Sequence, residues 1–126
     1  YGAEVGEAFA LRDDLLGVWG DPAKTGKPAG DDLLSGTPTV ILSLAHDLLP
    51  SSARHVLERV GTPELSPADV AFLQDALRAG GVVDAVESRI SAHVHAAVAA
   101  LSAEDLDPQG VAGLPQMAHR IAWRDR

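Results

Sequence analysis

FALRDDLLGVWGDPAKTGKPAGDD, residues 9–32, carries an acidic pair on either side of a break in an apolar helical pattern. Asp13-Asp14 lie inside the pattern. Gly20-Asp21-Pro22 ends it, because proline cannot continue a helix and restricts the residue before it. Beyond the break the chain crosses a Gly/Pro-rich loop with Lys24 and Lys27 and reaches the second pair, Asp31-Asp32. Carboxylates on a helix, followed by a loop with lysines, suit a site that holds divalent metal and phosphate together. Mg²⁺ takes oxygen ligands and usually binds through one or two carboxylates plus substrate phosphates. A nearby lysine adds a point charge for the remaining phosphate oxygens.

Outward from this stretch every element reads as helix. Upstream, Val5, Phe9 and Leu16 in residues 2–19 fit a helical period, and Gly2, Gly6 and Gly17 in it allow close approach of a neighbouring helix or a ligand. Downstream, 31–34 form a short helical turn closed by Ser35-Gly36. Residues 39–49 are apolar nearly all round, which predicts a helix lying centrally in a bundle. Pro50-Ser51-Ser52 opens the next helix, with Ala53, Val56, Leu57 and Val60 on one face and Gly61 as its stop.

Ser66-Pro67-Ala68-Asp69 is a helix start, with serine as cap, proline in the first turn and an acid beside it. That helix runs to about Ala79 and ends at Gly80-Gly81. Val83, Val86, Ile90, Val94, Ala97 and Leu101 step by three or four along a helix over about 82–101. Asp107-Pro108 opens a last helix, which Pro115 is expected to bend. No strand pattern persists and no solenoid period recurs. The expectation is one all-α domain over 1–126.

Composition narrows the function classes. The chain has 126 residues, and a net charge of −8 argues against a nucleic-acid footprint. It has no cysteine, which excludes disulfides and thiolate metal sites. No apolar run reaches the roughly 18–20 residues of a membrane span, and no secretory leader is visible, so the expected location is cytoplasmic. His93 and His95 are two apart and face different directions, so they lack the spacing of a zinc pair. Thr25 and Ser43 have no adjacent base that would make a nucleophile. Trp19 and Trp123 read as packing residues.

Residues 9–22 followed by KTGKPAGDDL resemble the second aspartate-rich region of the trans-isoprenyl diphosphate synthases, the polyprenyl synthetase family. Bacterial geranylgeranyl and farnesyl diphosphate synthases are the nearest fit. The family pattern runs Phe-Gln, then Asp-Asp-x-x-Asp, Gly-Asp-Pro and Thr-Gly-Lys-x-x-x-Asp-Leu. The resemblance implies the C-terminal half of the isoprenoid synthase helical fold, with the second aspartate-rich motif at 13–21. It also implies a prenyltransferase of isoprenoid biosynthesis that uses Mg²⁺ to condense an allylic diphosphate with isopentenyl diphosphate. In that chemistry diphosphate leaves the allylic substrate, the carbocation is attacked by isopentenyl diphosphate, and a proton is lost.

By the same resemblance Asp13 and Asp14 are metal contacts, with Asp13 preferred because successive helix positions differ by about 100°. Asp21 reaches the metal through water, Lys27 holds diphosphate, and Asp31 binds a metal-bound water. Lys24 is expected to face solvent. The chain departs from the pattern at three places. Ala10 stands for the family glutamine, Gly17 for the third aspartate, and Ser35, Gly36, Thr37 and Pro38 for basic residues.

The chain begins with Tyr1 inside a helical pattern and carries no first aspartate-rich motif. It therefore reads as the C-terminal part of a longer enzyme or a truncated relative, holding half of the site and inactive alone. Two alternatives stand beside this. One is a non-catalytic fragment or regulatory subunit pairing with a complete synthase. The other is a terpene cyclase-like protein, against which Thr25-Gly26-Lys27 argues. Amphipathic helices without their partners predict self-association, as a homo-oligomer or with the missing N-terminal half.

Overall fold

The computed structural model describes residues 1–126. Its regular structure is all α-helical: α1 Gly2–Trp19, α2 Pro22–Thr25, α3 Asp31–Ser35, α4 Val40–Leu48, α5 Arg54–Arg59, α6 Pro67–Ala79, α7 Val82–Ala103, α8 Pro108–Val111 and α9 Leu114–Ala122. A 3₁₀ turn, Ser51–Ala53, leads into α5. The expectation of an all-α fold stands. No helix is long and apolar enough to cross a membrane.

Two compact units are present. Unit 1 comprises 1–13 and 87–124. Its buried apolar residues are Val5, Ala8 and Leu11 of α1, Ile90, Val94 and Ala97 of α7, and Ala118 and Ala122 of α9. Each set steps by three or four, as a helix with one inward stripe requires. Arg12 adds a polar tie: its Nε donates to the Ala122 carbonyl at 2.6 Å and its Nη2 to Glu87 at 2.8 Å. The first of these bonds satisfies a carbonyl that the last turn of α9 leaves without a helical partner.

Unit 2 comprises 14–86 with 125–126. Leu15, Val18, Leu33, Ile41, Leu73, Leu77, Val82 and Val86 are among its buried residues. Local chemistry sets its helix ends. Thr39 caps α4, and Ser66 with Asp69 forms a reciprocal capping box on α6. Gln74 donates to the Val18 carbonyl at 2.7 Å, near the end of α1. Gly36 and Gly61, with φ of 69° and 75°, lie in backbone contact. The Gly61 N–H donates to the Leu33 carbonyl at 3.0 Å. A side chain at either glycine would strike the other backbone, so this crossing accepts only glycine.

Three expectations are corrected. Helix α4 buries only Ile41 and Ala45, and Leu48 is 46% exposed. Its Ser43, His46 and Asp47 are exposed, which gives it a wet face in place of the central position expected. The last helix is two: α8 stops at Val111, and Pro115 lies in the first turn of α9, where its missing N–H costs nothing, so it starts a helix and bends none. The buried stripe of α7 begins at Val82, not Val83.

Candidate functional site

The acidic pair of α1 falls on the boundary between the units, and each residue is described within its own. Asp13 belongs to unit 1. Its side chain is 66% exposed and accepts from Arg124 Nη2 at 3.2 Å. The same guanidinium lies over the Phe9 ring, 3.9 Å from its centroid. Phe9 and Asp13 are four residues apart on one helix and so share a face.

Asp14 belongs to unit 2. Its Oδ2 accepts from the Val40 N–H at the start of α4, at a long 3.4 Å. Asp21 is the N-cap of α2, and its Oδ1 accepts from the Ala23 N–H at 3.0 Å. One of its two oxygens is thereby committed to local structure. Gly26 closes α2 in the left-handed conformation that its C-cap needs.

Lys27 follows on the loop. Its backbone N–H meets the Thr25 hydroxyl at 3.3 Å, while its side chain is exposed and makes no ion pair. Lys24 faces solvent, as expected. It pairs with Asp125 at 2.5 Å, although both side chains stay more than half exposed. The Asp125 carboxylate raises the Lys24 pKa above its ordinary 10.5, chiefly through that hydrogen bond.

Asp31 and Asp32 form the first turn of α3. Asp31 is half-buried. The Asp32 carboxylate lies against Gly17, in the space a Cβ there would fill. This residue was missed by reasoning from sequence, and a signal for it existed. Counted from Thr25, Thr-Gly-Lys-x-x-x-Asp lands on Asp31, while the Asp-Leu pair that closes the pattern is Asp32-Leu33, one position further on. The position without a third aspartate thus has a carboxylate beside it, supplied by α3. Of the three glycines of α1, only Gly17 meets a close neighbour. Gly2 and Gly6 face open space.

No three acidic or imidazole groups converge as a ready-made metal cage. Calcium or a structural metal would ask for such a cage. Mg²⁺ does not, because it keeps waters and takes substrate phosphates as ligands. The donor set here, hard oxygens from single carboxylates and no thiolate, fits Mg²⁺ bound in that mode. Within unit 1 such a carboxylate is that of Asp13; within unit 2, Asp14, Asp21, Asp31 and Asp32 carry them. His93 Nδ1 meets Glu4 Oε2 at 2.6 Å. Trp123 is 43% exposed, stacks on His119 and donates to Glu87 at 3.3 Å.

Comparison with known proteins gives three consistent findings. The polyprenyl synthetase family model matches residues 1–77. Among curated relatives, geranylfarnesyl diphosphate synthase of Aeropyrum pernix is 36% identical over 96 residues, 76% of this chain and 29% of the relative. (2E,6E)-Farnesyl diphosphate synthase of Mycobacterium tuberculosis is 31% identical over 130 residues, 98% of this chain and 36% of the relative. Among solved structures, geranylgeranyl pyrophosphate synthase from Corynebacterium glutamicum, complexed with isoprenyl diphosphate and magnesium, superposes with a TM-score of 0.87. It is 43% identical, and the match covers 98% of this chain and 36% of that one. The chain spans about a third of the length of these relatives.

Proposed function

The chain belongs to the polyprenyl synthetase family, and on that premise we propose that it carries the second aspartate-rich half of a Mg²⁺-dependent prenyl-transfer site. Its family and relatives are prenyltransferases of isoprenoid biosynthesis, and the helical fold is theirs. The substrates proposed are an allylic diphosphate and isopentenyl diphosphate.

The roles proposed follow the surroundings of each residue. Asp13 offers a largely solvent-open carboxylate to Mg²⁺. Asp14 supports that role from the next position of α1. Lys27, exposed and without a partner, is the cation for diphosphate oxygens. Asp31 acts through a metal-bound water, and Asp32 shares that work. Asp21 contributes weakly and through water, because its Oδ1 caps α2.

When bound, Mg²⁺ would neutralise charge on the departing diphosphate. The residues of this chain hold and orient that diphosphate. The allylic C–O bond breaks with its electron pair leaving on diphosphate. The alkene of isopentenyl diphosphate forms the new C–C bond, and a carbon-bound proton is released. The electrostatic term is the one these residues supply.

The observation that carries the reading is the family motif from Phe9 to Lys27, kept on a helix, a capped break and an open lysine loop. The test is incorporation of radiolabelled isopentenyl diphosphate with Mg²⁺, by the chain alone and with a complete synthase. Product that requires the partner and falls with Asp13→Asn supports the reading. Product unaffected by Asp13→Asn and Lys27→Ala overturns it.

A second reading is a non-catalytic subunit. Pairing with another chain is supported by one relative whose name makes it one component of a synthase, heptaprenyl diphosphate synthase component 2 of Geobacillus stearothermophilus. That protein is 34% identical over 87 residues, 69% of this chain and 25% of its own. In the same assay, product that needs the partner but ignores Asp13→Asn selects this reading.

A further inference from the structure

Arg124 is the feature of unit 1 that the family motif does not explain. It lies just past the end of α9, 111 residues from Asp13. Yet its guanidinium touches both Phe9 and Asp13, at 3.9 Å from the ring centroid and 3.2 Å from Oδ1. The Arg124 side chain is 21% exposed, against 66% for Asp13. The arginine is therefore the covered member of the pair and the carboxylate the open one. Stacking on an aromatic face fixes a guanidinium at little further ordering cost.

We infer that Arg124 is a diphosphate-contacting residue that makes metal binding at Asp13 depend on the presence of diphosphate. The inference rests on the reading of Asp13 as a Mg²⁺ ligand. Its physical content is a change of sign. A bare dication arriving at Asp13 meets a positive charge already seated on the same carboxylate, and like charges at such range oppose it. A metal–diphosphate complex is net negative. The same guanidinium attracts that complex, and its planar donor fork matches phosphate oxygens. Arg124 thus weakens the first event and strengthens the second. An arginine that merely holds α9 in place would move both in one direction.

The probes are Mn²⁺ alone, followed by the electron paramagnetic resonance of free ion, and Mn²⁺ with inorganic pyrophosphate, followed by calorimetry. Both use the full chain. Arg124→Gln is expected to tighten Mn²⁺ alone about threefold to tenfold and to weaken Mn²⁺–pyrophosphate about tenfold. Arg124→Lys keeps the charge without the fork. It is expected to leave Mn²⁺ alone near the parent value while weakening the pyrophosphate complex severalfold. It carries the test if Arg124→Gln does not fold, as circular dichroism would reveal.

Both affinities falling together, or neither changing, overturns the inference. Asp13→Asn separates this failure from that of the underlying reading. If it abolishes metal-dependent pyrophosphate binding while the Arg124 variants show no opposed effects, only the inference fails. If it leaves metal binding intact, the assignment of Asp13 fails and the inference falls with it.

Discussion

Arg12 in unit 1 and Lys24 in unit 2 flank the same motif and use their charges differently. Arg12 is 12% exposed and engages two partners, a helix-end carbonyl and Glu87. Lys24 is 51% exposed and meets one carboxylate, itself 65% exposed. Charge that is covered and multiply bonded holds a structure together, because its removal strands polar groups away from water. Charge that is open contributes little to folding and stays available to a ligand. On this contrast Arg12 holds unit 1 together, while Lys24 adds little to the folding of unit 2.

The largest effect expected is therefore at Arg12. Arg12→Ala should cost about 2–4 kcal/mol, because it leaves both Glu87 and the Ala122 carbonyl short of a partner. Chemical denaturation followed by circular dichroism measures it. A loss below about 0.5 kcal/mol, the level of an ordinary surface change, would break the contrast.

Gly17 comes next, because it tests whether the unit 2 site depends on a close approach. Gly17→Ala should destabilise by about 1–3 kcal/mol, since its methyl must displace the Asp32 carboxylate. Combining it with Asp32→Ala should recover much of that loss, and the double-mutant cycle isolates the contact. An additive double mutant would mean that the two residues do not meet in solution.

Smaller effects fall on the local devices of unit 2. Ser66→Ala should cost about 1 kcal/mol, the usual value of an N-cap. The Ser66 backbone N–H, with lesser help from its hydroxyl and from Arg59, holds Asp69 below its ordinary 3.8. A lowered acid pKa stabilises the fold above the unfolded value. That contribution is lost as pH falls through the folded value, below 3.8. Asp69→Asn should flatten this part of the acid limb of stability against pH, and an unchanged limb would refute the box as its source.

Lys24 should give the smallest change. Lys24→Ala is expected to leave the denaturation midpoint at neutral pH where it was. The Lys24 pKa is raised, so what the pair contributes is fully present below 10.5 and fades as pH climbs through the higher folded value. A clear neutral-pH loss would show that the open pair matters to folding after all.

Much of this was legible in the chain itself. Pro22, Gly36, Ser66 with Asp69, and Gly80 mark helix ends by local chemistry, and the helices end there. The period of Val86, Ile90, Val94 and Ala97 fixes the inward face of α7 because side-chain direction repeats with the helix turn. Reading failed where identity had to be weighed against surroundings. The run 39–49 looks apolar all round, yet Ser43, His46 and Asp47 are enough to keep one side of α4 wet. Pro115 looked like a kink, and the two-residue gap at Ala112-Gly113 made it a helix start.

The order of helices, the motif between Phe9 and Asp32, and the residue types suited to magnesium and phosphate are properties of the sequence, because each depends on near neighbours along the chain. Which acidic groups have their oxygens committed is not. Asp32 beside Gly17, Arg124 on Phe9 and Asp13, and Arg12 on the end of α9 are meetings of residues far apart in number. Periodicity carries no information on such pairs, because hydrogen bonds and charge pairs are decided by distances that exist only after the chain has folded.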